Sequence, residues 1–168
     1  MSISGRLVRF WSMNQEPIMQ SWMNSPAFVA YALAGLALSA NMGVLWAYSG
    51  AVRGKTHTVM NAEDVGTVAK RAEVVPADPP AVARVLRAHA NATAASVPFL
   101  FLGLLYVLLG GPALPAMILF GVFVAARLLH SVAYLAEKQP FRTIAFATGG
   151  LTTIALLGNV AWLVVRGA

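Results

Sequence analysis

Apolar residues run along this chain in long blocks, without the alternation of a half-buried strand, and charged residues mark where the blocks stop. Residues 17–52, 88–126 and 143–165 contain no Asp, Glu, Lys or Arg. A window of about 20 apolar residues crosses a hydrocarbon core of roughly 30 Å as a helix. The pattern predicts four such helices, at about 26–50, 81–109, 113–136 and 141–165, with a polar loop at 51–80. Gly110-Gly111-Pro112 stops the second helix, and Glu137-Lys138-Gln139-Pro140 links the third to the fourth. Asp78-Pro79-Pro80 reads as a helix start, Asp as N-cap with prolines in the first turn. The last two connections are short, which forces antiparallel neighbours. The expected fold is therefore all-α, an integral-membrane, up-down four-helix bundle forming one domain over 1–168.

Composition strengthens that reading. The chain is 58% hydrophobic and 11% charged, with a mean hydropathy of +0.69, too apolar for an ordinary soluble domain of its length. It has no cysteine, which excludes a disulfide framework and any cysteine nucleophile or metal ligand. The first 25 residues mix Arg6, Arg9, Trp11, Glu16 and Trp22, which suits an interfacial segment with tryptophans at headgroup level better than a cleaved leader.

Charge then fixes an expected orientation. Arg53, Lys55, Lys70, Arg71, Arg84, Arg87, Lys138 and Arg142 fall on one side of an up-down bundle, against Arg6, Arg9 and Arg166 on the other. Positive residues favour the cytoplasm, so both termini are expected on the non-cytoplasmic side and both basic loops inside. The net charge of +6 then reflects topology and attraction to anionic membrane lipids. No basic groove interleaved with aromatics appears, so nucleic acid is not an expected partner.

The polar residues that interrupt the apolar blocks converge on the same side: Arg53, then Arg84, Arg87 and Asn91, then Arg127, His130 and Tyr134, then Arg142. Arg84, Arg87, Asn91 and Ala94 share one face of the second helix, which at about 43 Å is longer than the membrane core. An arginine inside a spanning helix costs roughly 2.5–3.5 kcal/mol on insertion scales, so Arg127 needs a partner or an aqueous cavity. Snorkelling to lipid phosphate is the simpler role for Arg84 and Lys138. Asn91 fits a helix–helix hydrogen bond as well as a ligand contact. Small residues such as Gly149 and Gly150 suit helix association. His130 has no second ligand at metal spacing on its helix, so no metal site is expected. All six acids lie outside the helix interiors, which excludes paired-carboxylate acid–base chemistry. What remains is a site for an anion.

Arg84-Val85-Leu86-Arg87-Ala88-His89-Ala90-Asn91, with Pro98-Phe99-Leu100-Phe101-Leu102-Gly103 after it, resembles the second-helix signature of the MAPEG family, membrane-associated proteins in eicosanoid and glutathione metabolism. Ala126-Arg127-Leu128-Leu129-His130-Ser131-Val132-Ala133-Tyr134-Leu135 and Asn61-Ala62-Glu63-Asp64 resemble it too, most of all its microsomal prostaglandin E synthase and glutathione transferase branch. The resemblance runs from about Ser25 to the end of the chain. It implies a homotrimer with glutathione between subunits, facing the cytoplasm, and a lipophilic small-molecule substrate. Carried over position by position, Arg53, Arg87, Asn91, Arg127, His130, Tyr134 and Thr143 frame glutathione. Arg142 lies by the thiol, with Asp64 as its acidic neighbour. The chain departs from that pattern at Ala94, where the branch carries Glu, at Ala90, basic in the prostaglandin synthase, and at Phe146, where that enzyme has Tyr. Two functions are open on these residues. One is a transferase or peroxidase that adds the glutathione thiolate to lipophilic electrophiles. The other is a non-catalytic protein of the same fold that binds a lipid or another anion.

Overall fold

In the computed structural model, which describes residues 23–67 and 69–167, four long helices form one bundle. They are α1 (Pro26–Thr56), α3 (Pro80–Leu108), α4 (Ala113–Leu135) and α5 (Gln139–Gly167). All four are long and apolar enough to cross a membrane. Between α1 and α3 lie β1 (Thr58–Val59), the one-turn helix α2 (Asp64–Thr67) and β2 (Glu73–Val74). The interfacial segment expected at the N-terminus falls almost wholly outside the described residues.

Ser25 caps α1 by accepting the Phe28 amide at 3.2 Å. This helix runs to Thr56, six residues beyond the expected 50, because Arg53 and Lys55 sit in its last turn. Cations there complement the negative end of the helix dipole, so charge in the sequence marked the membrane surface and not the helix end. His57 stops α1 in the left-handed conformation, at φ 50°. The expected loop contains a parallel pair, Thr58 against Glu73 and Val59 against Val74. The expected cap of α3 is also corrected. Pro79 occupies the N-cap with no side-chain bond, and the Asp78 carboxylate instead accepts from Arg53 Nη2 at 2.5 Å.

The α3–α4 turn is built on glycine. Gly110 has φ 70°, and a Cβ on Gly111 would lie 2.2 Å from the Tyr106 ring, so no larger residue fits there. That ring is held down because its hydroxyl donates to the Pro112 carbonyl at 2.9 Å. Around it Phe99 and Phe123 stack at 3.6 Å, and Phe120 meets the rings of Phe99, Tyr106 and Tyr31 edge-on. Leu38, Phe99, Tyr106, Phe120, Phe123 and Leu156 are at most 1% exposed. Apolar residues on the outer faces, among them Leu33, Leu36, Trp46, Leu151 and Trp162, stay uncovered within the chain, as lipid-facing positions do.

Candidate functional site

At the opposite end of the bundle, by the α4–α5 turn, the core turns polar. Arg127 on α4 is only 1% exposed. Its Nη2 donates to Asn91 Oδ1 at 2.6 Å and to the Asn91 carbonyl at 3.3 Å, both on α3. The same Nη2 lies 3.4 Å from His130 Nδ1. A guanidinium only donates, so Nδ1 accepts and the ring proton sits on Nε2. Ser131 donates to the Arg127 carbonyl at 3.1 Å and accepts from Asn41 of α1 at 3.1 Å. Arg127 is therefore tied directly to α3, and to α1 only through Ser131. Room for it comes from Gly149 of α5, where a Cβ would already touch Arg127 Cδ at 3.4 Å.

Nearer the turn, the Arg142 guanidinium lies over the Tyr134 ring, 4.9 Å from its centre. A cation over an aromatic face is worth about 0.5–2 kcal/mol, depending on desolvation, and it aims the charge. The His130 ring is 5.7 Å from Tyr134 and 6.1 Å from Phe146. Thr143 donates to Gln139 Oε1 at 3.0 Å and leaves its oxygen free to accept.

These side chains border two adjoining cavities. A polar one of about 280 Å³ is lined by Asn91, His130, Tyr134, Arg142, Thr143 and Phe146. The other, about 480 Å³, lies further from the turn between α3, α4 and α5. Asn91 and Phe146 belong to both; Ala94, Pro98, Phe123, Arg127, Gly149 and Ile154 are among the other walls of the second. Pro98 has no amide hydrogen, so the Ala94 carbonyl at that wall lacks its usual helical donor.

Five of the expected residues, Asn91, Arg127, His130, Tyr134 and Arg142, thus come together, with Thr143 beside them. Three others do not join them within the chain. Arg53 is engaged by Asp78. Arg87 is exposed and lines neither cavity. Asp64 accepts from Asn61 Nδ2 at 3.4 Å, and among the described residues no ion pair joins it to Arg142. Arg84, expected to snorkel, pairs with Glu137 at 3.2 Å and ties the start of α3 to the α4–α5 turn. Asn41 and Ser131 were not anticipated as site residues, although Asn41 is a polar position inside a charge-free block. Gly149, expected to serve helix association, packs α5 against α4 and seats Arg127 there.

The MAPEG family model matches residues 29–162. Prostaglandin E synthase of Homo sapiens is 33% identical over 149 residues, covering 86% of this chain and 94% of that protein. The Macaca fascicularis enzyme aligns with the same identity and coverage. Microsomal glutathione S-transferase 1 of Rattus norvegicus is 46% identical over 76 residues, covering 45% of this chain and 49% of that protein.

Proposed function

Because this chain belongs to the MAPEG family, we propose that it is a glutathione-dependent membrane enzyme, a transferase or peroxidase acting on lipophilic electrophiles. The observation that carries the reading is the Arg142 guanidinium, aimed by Tyr134 at a polar cavity that also presents Asn91, His130 and Thr143. Glutathione brings the nucleophile. A thiol with an ordinary pKa near 8.5 is mostly protonated at neutral pH, and a guanidinium beside it stabilises the thiolate. In the transferase reaction the thiolate lone pair forms the new S–C bond. The electron pair of the broken bond leaves with the departing group, or stays on the oxygen of an opened ring. Electrophiles dissolved in the bilayer reach the thiolate through the apolar walls of the larger cavity.

Asn91, Arg127, His130, Tyr134 and Thr143 frame the tripeptide in this reading, and Arg53, Arg87 and Asp64 complete the site from a neighbouring subunit of a homotrimer. A particle mass in detergent corresponding to one chain would remove that intersubunit arrangement. The Lys/Arg distribution supports a site facing the cytoplasm, with both termini on the other side.

Arg142→Ala should lower turnover in a glutathione-conjugation assay at least ten-fold, about 1.4 kcal/mol of barrier. Glutathione affinity should change less, because the contact strengthens on the thiolate. Unchanged turnover would reduce Arg142 to a packing partner of Tyr134. One observation favours a second reading, a non-catalytic protein of the same fold that binds a lipid or another anion: Ala94 leaves both cavities without any carboxylate. A calorimetric titration with glutathione separates the two, since absence of binding would leave only the second.

A further inference from the structure

The two short turns of the bundle close with the same hydrogen bonds and different residues. At the end of α3 the Gly110 amide donates to the Val107 carbonyl at 3.0 Å, and the Gly111 amide to that of Tyr106 at 3.0 Å. At the end of α4 the Glu137 amide donates to the Tyr134 carbonyl at 3.4 Å, and the Lys138 amide to that of Ala133 at 2.9 Å. In both, the pivotal residue takes the left-handed conformation, Gly110 at φ 70° and Glu137 at φ 61°. Glycine holds that conformation without penalty, whereas a Cβ crowds the following carbonyl oxygen. A side chain kept at such a pivot needs a compensating contact. Glu137 has one, since its Oε1 lies 3.2 Å from Arg84 Nη2 on α3.

Packing does not brace the turn on that side. Arg84 and Glu137 both line a cavity of about 350 Å³ between α1, α3 and the turn, with Tyr48, Val52 and Leu135 among its walls. The ion pair therefore links two sides of a gap that apolar side chains leave open. Beyond the pivot, the Arg142 amide donates to the Lys138 carbonyl at 3.1 Å. Tyr134 is thus bonded to the turn from one side and Arg142 from the other, and the guanidinium sits 4.9 Å from the ring centre. Rotation about the Glu137 backbone would swing the start of α5 against the end of α4 and carry Arg142 across the Tyr134 ring.

We propose that Glu137 is a positioning residue for Arg142: its carboxylate, held by Arg84, fixes the left-handed turn that sets the guanidinium over Tyr134. The proposal rests on the reading of Arg142 as the group that stabilises the glutathione thiolate, and it names what keeps that group in place. Glu137 is 67% exposed, so the pair adds little to stability. Its effect falls on geometry, where a small displacement of a reacting group lowers the rate steeply.

The test uses the purified protein in a non-ionic detergent, with Glu137→Gly, Glu137→Gln and Arg84→Gln beside wild type. Each should lower kcat for glutathione conjugation about three- to ten-fold and leave KM for glutathione within about two-fold, as for an interaction made in the transition state. The acid limb of the kcat–pH profile should rise by about half a pH unit, because a guanidinium set back from the sulfur leaves the bound thiol harder to ionise. Loss of the Glu137 charge acting through space would lower that limb instead. Glu137→Gly should not lower the unfolding temperature, since glycine removes the strain at the pivot. The place of Arg142 is read without turnover from the NMR signal of the methylene next to its guanidinium, assigned by its loss in Arg142→Lys. Stacking on Tyr134 moves this signal upfield, and the three variants should return it towards that of a free arginine side chain.

An unmoved Arg142 signal in the variants that fold would overturn the proposal, whatever the turnover. A limb that falls in Glu137→Gln would overturn it too, because charge and not geometry would then be at work. A displaced signal with an unchanged profile would keep the positioning and remove Arg142 from the chemistry. If wild type conjugates nothing, the enzyme reading fails and the signal alone decides.

Discussion

The two ends of the bundle are made by the same helices and solve opposite problems. Towards the α3–α4 turn, Phe99, Tyr106, Phe120 and Phe123 interlock with Tyr31, and the buried Tyr106 hydroxyl has its acceptor in Pro112. Towards the α4–α5 turn, α3 and α4 present Asn91, Arg127, His130 and Tyr134 instead, and two cavities open between them. One end packs ring against ring and gives the Tyr106 hydroxyl its acceptor within the chain. The other buries a guanidinium, leaves one of its nitrogens without a partner and keeps space next to it. Dispersion and shape explain the first, since lipid tails are as apolar as Phe and give no hydrophobic drive between helices. They do not explain the second, whose polar side chains we propose hold a ligand.

The comparison breaks most visibly at Phe99, which is fully buried and stacks on Phe123 with the ring planes 2° apart. Phe99→Ala removes contacts with Phe123 and Phe120 together. It should lower stability by about 3–5 kcal/mol, the usual cost of emptying an aromatic core position. Thermal unfolding in detergent would read this, and a loss below 1 kcal/mol would mean that the aromatic end does not hold the bundle. Glutathione affinity of the fraction that remains folded should be unchanged, because Phe99 lines neither cavity.

Much of this division was legible in the chain. The charge-free blocks located all four helices, and Gly110-Gly111-Pro112 located the α3–α4 turn to within a residue. Helical spacing put Arg127, His130 and Tyr134 on one face, and the up-down topology brought Asn91 and Arg142 to the same end. Spacing along one helix does not fix how each helix is rotated against the others. For that reason the Asn41–Ser131 bond, the seat of Arg127 on Gly149 and the separate engagement of Arg53 could not be read. The end of α1 was misplaced for a different reason: cations that suit a helix C-terminus also look like the start of a loop.

Gly149 sharpens the contrast at the polar end. A methyl there would touch Arg127 Cδ at 3.4 Å, an ordinary contact, whereas a branched side chain would press on the guanidinium stem and on the cavity that Gly149 also walls. Gly149→Ala should therefore stay within about 0.5 kcal/mol of wild type, its helix propensity offsetting the tighter contact. Gly149→Val should cost about 1–3 kcal/mol, the range for overpacking, and weaken glutathione binding as Arg127 moves. Equal behaviour of the two variants would mean that Gly149 does not position Arg127.

The smallest expected effect concerns Arg53, which sequence resemblance assigns to the ligand and the structure gives to Asp78. The two side chains are 36% and 15% exposed, so the pair is partly solvated, and an ion pair of that kind contributes about 0.2–1 kcal/mol. A double-mutant cycle of Arg53→Gln and Asp78→Asn, read by thermal unfolding, should return a coupling energy in that range. If the pair only fastens the end of α1 to the segment before α3, Asp78→Asn will leave glutathione affinity as it is. If instead Asp78 holds Arg53 in reserve for a ligand in an assembled trimer, releasing it will tighten glutathione binding a few-fold, and Arg53→Gln will weaken binding by a similar factor. A coupling energy of zero with both affinities unchanged would strip Arg53 of either role and confine the ligand site to the residues of α3, α4 and α5.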